Sequence, residues 1–109
     1  MVDIYYIDND NMIELTGLRD AANAIYLNGA SVSLTLVDSA TEVEISGQTW
    51  PATMSYVNAS DGDYRLTLEY DLVVQHGQSL TAHVVADAGA GLRMVIRHPV
   101  LALYREGTE

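Results

Sequence analysis

Apolar and polar residues alternate with a period of two along most of the chain, which is the pattern of half-buried β-strands. The clearest run is 30–37, where Val32, Leu34 and Leu36 fall on one face and serine or threonine falls on the other. An Asn-Gly pair at 28–29 precedes this run, and both residue types accept the backbone conformations of tight turns. This stretch predicts a turn followed by a β-strand.

The same alternation predicts further strands, separated by turn-forming residues, at 4–7, 12–16, 42–46, 52–57, 64–68, 77–86 and 92–104. In 42–46, Val43 and Ile45 are expected to point inward. Pro99 has no N–H to donate to a neighbouring strand, so the last segment should be an edge strand or should break there. Residues 20–27 are expected to form one short helical turn, with Asp20 as its cap.

The strand count of about seven to nine, with turns roughly every 8–12 residues, is typical of a β-sandwich. Barrels and jelly rolls share this pattern. We therefore expect an all-β fold, a two-sheet antiparallel sandwich. A chain of 109 residues has the size of one domain. We expect a single domain over 1–109, with polar segments at 1–11 and 105–109 as candidate docking arms.

The turn Asp61-Gly62-Asp63 leads into Tyr64 at the start of a predicted strand. In many immunoglobulin-like modules a tyrosine at such a corner buries its ring and donates its hydroxyl to the turn backbone. We expect Gly62 and Tyr64 to form a structural corner of this kind. This interpretation concerns the fold and not the function.

The formal net charge is −10, with five arginines and no lysine. A nucleic-acid-binding protein needs a basic surface to displace counterions from phosphates, so direct nucleic-acid binding is not expected. The absence of cysteine excludes disulfides and thiolate metal sites. No apolar stretch is long enough to span a membrane, and the N-terminus lacks the layout of a signal peptide.

The sequence contains no recognisable catalytic or metal-binding motif. The oxygen-rich stretch 8–11 lacks the mid-loop glycine and closing glutamate of a helix–loop–helix calcium site. His76, His83 and His98 are not spaced as metal ligands, although the latter two could meet across a sheet. No Gly-x-Ser-x-Gly nucleophile elbow is present. We therefore expect a protein that is not an enzyme and that uses no cofactor or metal.

The aromatic residues are seven tyrosines and one tryptophan, with no phenylalanine. Tyrosine, tryptophan and arginine are enriched at protein interfaces. Trp50, beside Pro51, is either a core anchor, which is the commoner place in sandwiches, or an exposed interface residue. The candidate interface residues are Tyr5, Tyr6, Trp50, Tyr104 and Arg105.

Four stretches support a family resemblance: Val32-Ser-Leu-Thr-Leu-Val-Asp38, Gly47-Gln-Thr-Trp-Pro51, Asp61-Gly-Asp-Tyr-Arg-Leu-Thr-Leu68 and the strand from Gly77 to Ala86. Together, over about 4–105, they resemble small immunoglobulin-like proteins encoded among the structural genes of tailed bacteriophages and prophages. The pattern is also similar to the N-terminal module of baseplate upper proteins of phages of Gram-positive hosts.

This resemblance implies an immunoglobulin-like sandwich with a non-enzymatic, structural role in the virion, as a head–tail connector or neck, decoration or tail-adaptor subunit. It also implies that the chain is assembled in the host cytoplasm as a homo-oligomer or multi-copy component, with other virion proteins as its partners.

The alternative function is a carbohydrate- or host-surface-binding module, in which Trp50 with Tyr5, Tyr6, Tyr56 or Tyr104 would form a stacking platform for sugars. An acidic inhibitor or DNA mimic would need carboxylates at phosphate-like intervals. The acidic residues are instead scattered among turns and strand exteriors.

Overall fold

A computed structural model describes residues 3–20, 25–89 and 93–105 of the chain. β-structure is the only regular secondary structure in these ranges, so the all-β prediction is confirmed. The strands are β1 (Asp3–Ile7), β2 (Asn11–Leu15), β3 (Arg19–Asp20), β4 (Ile25–Tyr26), β5 (Ser31–Asp38), β6 (Ala52–Tyr56), β7 (Tyr64–Leu68), β8 (Ser79–Asp87) and β9 (Arg93–Tyr104).

The main sheet has seven strands in the order β1-β9-β8-β5-β6-β7-β2. Its first and last strands, β1 and β2, contact each other, so the sheet is nearly closed into a barrel. β6 makes the bend between the two sides, because its first half pairs with β5 and its second half pairs with β7. β3 and β4 form a separate two-stranded hairpin.

The core follows the alternation predicted from the sequence. β5 and β8 are antiparallel neighbours, and their registered pairs place alternate side chains on one buried face. Full burial of each aliphatic side chain contributes about 1.5–3 kcal/mol to stability. The buried residues of these two strands are Val32, Leu34, Leu36, Val37, Leu80, Ala82, Val84 and Ala86.

The sheet is mixed, whereas the sequence predicted antiparallel pairing throughout. β1 runs parallel to β9, with Asp3 beside Val100 and Ile7 beside Tyr104. This register sets Tyr5 next to Ala102, and both side chains are fully buried. The parallel arrangement therefore brings apolar residues from both ends of the described chain into one core.

β9 runs without a break through Pro99, so the predicted break is wrong. The N–H of Ala102 donates to Gln78 O on the β8 side, and hydrogen-bonding direction alternates along a strand. The Pro99 nitrogen therefore faces away from β8, toward the side where described pairing with β1 starts at Val100. Proline is tolerated because no hydrogen bond to β8 is lost. Among the described strands, 93–99 pairs with β8 alone, which is the edge position that the sequence predicted as the alternative to a break.

The predicted strand at 42–46 is reduced to an isolated bridge between Val37 and Glu44. Ile45 is buried as expected, but Val43 is 63% exposed, so its predicted inward orientation is wrong. The reason is a turn: Asp38 N–H donates to Val43 O, and Glu42 has a positive φ of 58°. This turn carries the Val43 side chain away from the core.

The helical turn predicted for 20–27 is wrong for the described part of that segment, and residues 21–24 lie outside the described ranges. Arg19–Asp20 and Ile25–Tyr26 pair as a hairpin, which a further bond from Leu27 N–H to Leu18 O extends. Of the candidate arm at 1–11, residues 3–10 form β1 and the turn that leads into β2. Apart from Arg105, the predicted arm at 105–109 also lies outside the described ranges.

Gly62 lies where two segments cross closely. Its N–H donates to Asn28 Oδ1 at 2.8 Å, and its carbonyl accepts from Leu18 N–H at 2.8 Å. A Cβ atom at Gly62 would lie 2.3 Å from Leu18 O, and the backbone φ is +74°. Glycine is therefore required here by close approach as well as by conformation.

Tyr64 is buried as predicted, but its hydroxyl does not bond its own turn at 61–63. The hydroxyl donates to Leu27 O at 2.6 Å and accepts from Ala30 N–H at 3.1 Å. The ring lies inside the core, so its hydroxyl reaches a different segment from the turn that precedes it. Tyr64 therefore ties β7 to the loop before β5.

Gly62→Ala should lower the free energy of unfolding by about 3 kcal/mol, because the added methyl group would overlap the Leu18 backbone at a strained φ. Gly29→Ala is the matched control. A Cβ at Gly29 meets nothing within 4 Å, so the change should stay within about 0.5 kcal/mol. Urea denaturation of both variants measures the difference, and similar values would contradict the crossing described above.

Tyr64→Phe should cost about 1–2 kcal/mol, because it leaves Leu27 O and Ala30 N–H without the hydroxyl that bonds both. Tyr70→Phe is the control, since Tyr70 is largely exposed and should change stability little. Thermal and urea denaturation at neutral pH provide the measurement. A loss at Tyr64 no larger than at Tyr70 would show that the bridge does not stabilise the fold.

Candidate interaction surface

An exposed apolar surface covers the outer side of β1 and β9. Ile4 lies beside Leu101, and Tyr6 lies beside Leu103 in the parallel register. Ile4 is 40% exposed and Tyr6 is 36% exposed, while both leucines are half-buried. We call these four residues the outer patch.

The outer patch exists because the C-terminal half of β9 is apolar on both faces. Val100 and Ala102 are buried in the core, and Leu101 and Leu103 alternate with them on the outside. Strands with two apolar faces are typical of sheets that are covered on both sides. Within the described ranges the inner face is covered, whereas the outer patch keeps solvent-exposed apolar groups, which mark interaction sites on protein surfaces.

Arginine side chains border this apolar surface. The guanidinium of Arg105 lies 6.0 Å from the centre of the Tyr6 ring, a cation–π distance. Arg97 lies on the same outer face of β9, where its guanidinium is 3.7 Å from the Glu42 carboxylate. The same carboxylate is 3.8 Å from His83 Nε2. The face therefore combines apolar, aromatic and cationic groups, in a chain whose net charge is −10.

The predicted interface residues do not form one cluster. Tyr6 and Arg105 lie together at the outer patch. Tyr104 follows on the opposite face of the sheet, where its ring stacks on His76 at 5.6 Å between centroids. Tyr5 is fully buried, and its hydroxyl donates to Glu69 O, so it belongs to the core.

Trp50 packs against the core and is half-buried. Its indole N–H donates to Ile45 O at 2.7 Å, which fixes the ring over the turn at 45–50. Of the two interpretations left open by the sequence, the core anchor matches these contacts.

The three outer-patch residues that the sequence reasoning missed are Ile4, Leu101 and Leu103. The available signal was the unbroken apolar run 100–104, which has no polar residue at the outward positions of the strand. Such a run indicates a strand that is buried or contacted on both faces.

The histidines of the two strands do not meet. His83 is registered with Arg97 on the outer face, and its Nε2 is buried without a hydrogen-bond partner in the described structure. His98 points to the inner side and lies 2.7 Å from the Asp3 carboxylate. Successive strand residues alternate between faces, which separates Arg97 and His98 and hence the two histidines.

The oxygen-rich turn at 8–11 uses its amides for the backbone. Asn11 accepts from Tyr6 N–H and donates to Tyr6 O, both at 2.9 Å, and Asn9 donates to Ile7 O. In the ranges 3–20, 25–89 and 93–105, no three histidine, aspartate or glutamate side chains converge as metal ligands would.

Comparison of the chain with protein-family models, with curated protein sequences and with solved structures gave no match. None of the residues that the structure describes forms a helix of the length and hydrophobicity needed to cross a bilayer.

Burial raises the pKa of the Tyr5 hydroxyl, and the carboxylates of Asp71, Asp10 and Asp8 raise it further. Since the unfolded phenol titrates near about pH 10, the contribution of Tyr5 to stability is complete below that pH. It is lost as the pH rises through the higher pKa of the folded state.

Stability should therefore fall more steeply above about pH 10 for the natural protein than for Tyr5→Phe. At neutral pH the variant should be less stable by about 1 kcal/mol, because the bond to Glu69 O is lost. Urea denaturation between about pH 8 and pH 11 measures both curves, with Tyr70→Phe as the exposed control. Parallel curves for Tyr5→Phe and the natural protein would contradict the assigned cause.

Proposed function

We propose that this protein is a non-enzymatic structural subunit of a tailed-bacteriophage virion, of the head–tail connector or neck, decoration or tail-adaptor type. In this proposal it binds other virion proteins or further copies of itself in the particle. The observation that carries the proposal is the outer patch of Ile4, Tyr6, Leu101 and Leu103, an exposed apolar surface on two paired strands. The sequence resemblance supplies the virion context.

The proposal includes an immunoglobulin-like two-sheet sandwich as the architecture of the domain. Its support is the split pairing of β6, which joins β1, β9, β8 and β5 on one side to β7 and β2 on the other. Two layers joined in this way keep the outer patch on a continuous hydrogen-bonded surface. Such a surface suits a subunit that must hold a fixed shape among its neighbours.

The distribution of charge supports a role in protein–protein contacts. The net charge of −10 disfavours contact with DNA and keeps subunits apart by long-range repulsion. Short-range burial of the outer patch can overcome this repulsion only where a partner matches it in shape and polarity. Binding is therefore expected at one defined face and not over the whole surface.

The aromatic residues favour this function over carbohydrate binding. The Trp50 indole N–H is already bonded to Ile45 O, and Tyr5 is buried. Tyr6 and Tyr104 lie on opposite faces of the sheet. A stacking platform of these residues would need their rings on one exposed surface.

Mass spectrometry of purified particles, from the phage or prophage that encodes the chain, tests the proposed location. We expect the protein to co-purify with the particles in multiple copies. Its absence from intact particles would overturn the virion assignment.

Ile4→Lys should reduce incorporation into particles by about tenfold, because a charged side chain would disrupt burial of the outer patch. Met12→Lys is the matched control, since Met12 is 64% exposed, lies on β2 and is not one of the outer-patch residues. Both variants are first checked for native circular dichroism and unfolding temperature. Equal incorporation of the two folded variants would exclude the outer patch as the contact surface.

A further inference from the structure

β9 has an open edge along its N-terminal half. In the described part of the chain, residues 93–99 pair with β8 alone, since β1 pairing starts at Val100. The bond from Ala102 N–H to Gln78 O fixes which residues face β8. By alternation, Arg93, Val95 and Arg97 point their N–H and C=O groups toward the open side.

β2 provides the opposite wall of this opening. β2 pairs with β7 on one side, and no strand of the described ranges pairs with its other side. β1 closes the sheet only near the C-terminal half of β9, where it contacts β2. A gap therefore remains between β2 and residues 93–99 of β9, and we call this gap the seam.

The seam contains apolar space. A cavity of about 400 Å³ that is open to solvent is lined by Leu15, Thr16, Gly17, Leu18, Arg19, Met94 and Ile96, and a second cavity of about 40 Å³ adjoins it. Leu15 and Ile96 line both cavities, so the two are adjacent. The larger volume is in the range of protein ligand sites, and its four apolar side chains, Leu15, Leu18, Met94 and Ile96, offer contacts to apolar side chains of an occupant.

Cationic side chains flank the seam. Arg19 lines the larger cavity, while Arg93 and Arg97 are exposed along the open edge of β9. Arg19, Arg93 and Arg97 are three of the five cationic residues of the chain, all of them arginines, so a large share of its positive charge lies here. Glu14 at the smaller cavity is paired with Arg65, Glu42 lies 3.7 Å from Arg97, and Asp87 is registered with Arg93. Exposed ion pairs such as Arg97–Glu42 are weak, so the arginines stay available to a bound carboxylate. These charges favour an acidic occupant.

We propose that the seam binds an extended segment of a partner protein, with apolar side chains at alternate positions and acidic residues at its ends. The segment adds to the β9 edge parallel to it, in line with β1, and places its inward side chains in the cavity. Such strand addition combines backbone hydrogen bonds with side-chain pockets. The proposal does not rest on the virion assignment.

The parallel direction follows from the existing pairing. β1 already uses the C-terminal half of β9 in parallel, from Val100 to Tyr104. A segment bound along 93–99 would continue the same hydrogen-bonding pattern on the same side. Pro99 lacks an N–H, so it donates no backbone hydrogen bond to a segment on this side of β9.

The probe is a synthetic peptide with blocked ends, Glu-Val-Thr-Val-Thr-Val-Glu, titrated into the full chain. We expect saturable binding with a Kd below about 1 mM, and slower amide exchange at Arg93, Val95 and Arg97. The same peptide with lysine in place of both glutamates should bind at least about tenfold more weakly. Equal affinity for the two peptides would overturn the assigned charge preference.

Val95→Pro removes an open-edge N–H without removing a bond to β8, and should weaken peptide binding at least about tenfold. Val95→Thr keeps this N–H and is the matched control. The double variant Arg93→Glu with Arg97→Glu provides a second test, which does not depend on whether Val95→Pro folds, and it should also weaken binding of the acidic peptide. No binding by the natural protein, or binding that all these variants retain, would overturn the proposal.

Analytical ultracentrifugation with and without the peptide tests a second copy as the occupant. We expect the peptide to leave the oligomeric state of the protein unchanged. If the protein forms dimers that the peptide dissociates, the occupant of the seam is a second copy of this chain and not another protein. Because these readouts concern the seam alone, their failure leaves the particle analysis unaffected. Absence from particles likewise leaves peptide binding unaffected.

Discussion

Backbone hydrogen bonding along β9 is the constraint on which the arrangement of the described sheet depends. This strand has twelve residues, whereas its neighbours β8 and β1 have nine and five. Each buried N–H or C=O group left without a partner would cost about 1–3 kcal/mol, so the buried part of a strand needs hydrogen-bonding partners for its backbone. The C-terminal half of β9 is paired on both sides and contributes to the core. Within the described ranges, residues 93–99 are paired with β8 alone.

Both candidate binding surfaces lie along β9. Where β1 pairs with β9, the two strands share an apolar outer face that includes Tyr6 and Leu103. Along residues 93–99, where the described part of β1 does not reach, the edge of β9 borders the larger cavity. Arg93, Arg97 and Arg105 lie along or directly after this strand, so the surfaces carry positive charge in an otherwise acidic chain. These surfaces can therefore attract acidic partners that the rest of the protein repels.

The sequence predicted much of the fold because side chains of a half-buried strand alternate with a period of two. The strands around Leu34 and Val84 were predictable for this reason, as were their buried faces. Gly62 and Tyr64 were predictable as a corner, because turn chemistry is local. Of the candidate interaction surface, Tyr6 and Arg105 were predictable from their residue types. The apolar run 100–104 contained the remaining information but did not reveal which face would be covered.

Sequence by itself determined the β-class, most strand positions, the acidic net charge and the corner at Gly62 and Tyr64, whereas the close approach of Leu18 that requires glycine there came from the tertiary structure. Tertiary structure alone decided that β1 and β9 pair in parallel, because pairing between segments distant in sequence depends on how the whole chain folds. That pairing placed Tyr5 in the core and Tyr6 outside, a choice that alternation leaves undetermined. It also chose the partners of the Tyr64 hydroxyl and left the seam open, since both depend on side chains and edges that meet only after folding.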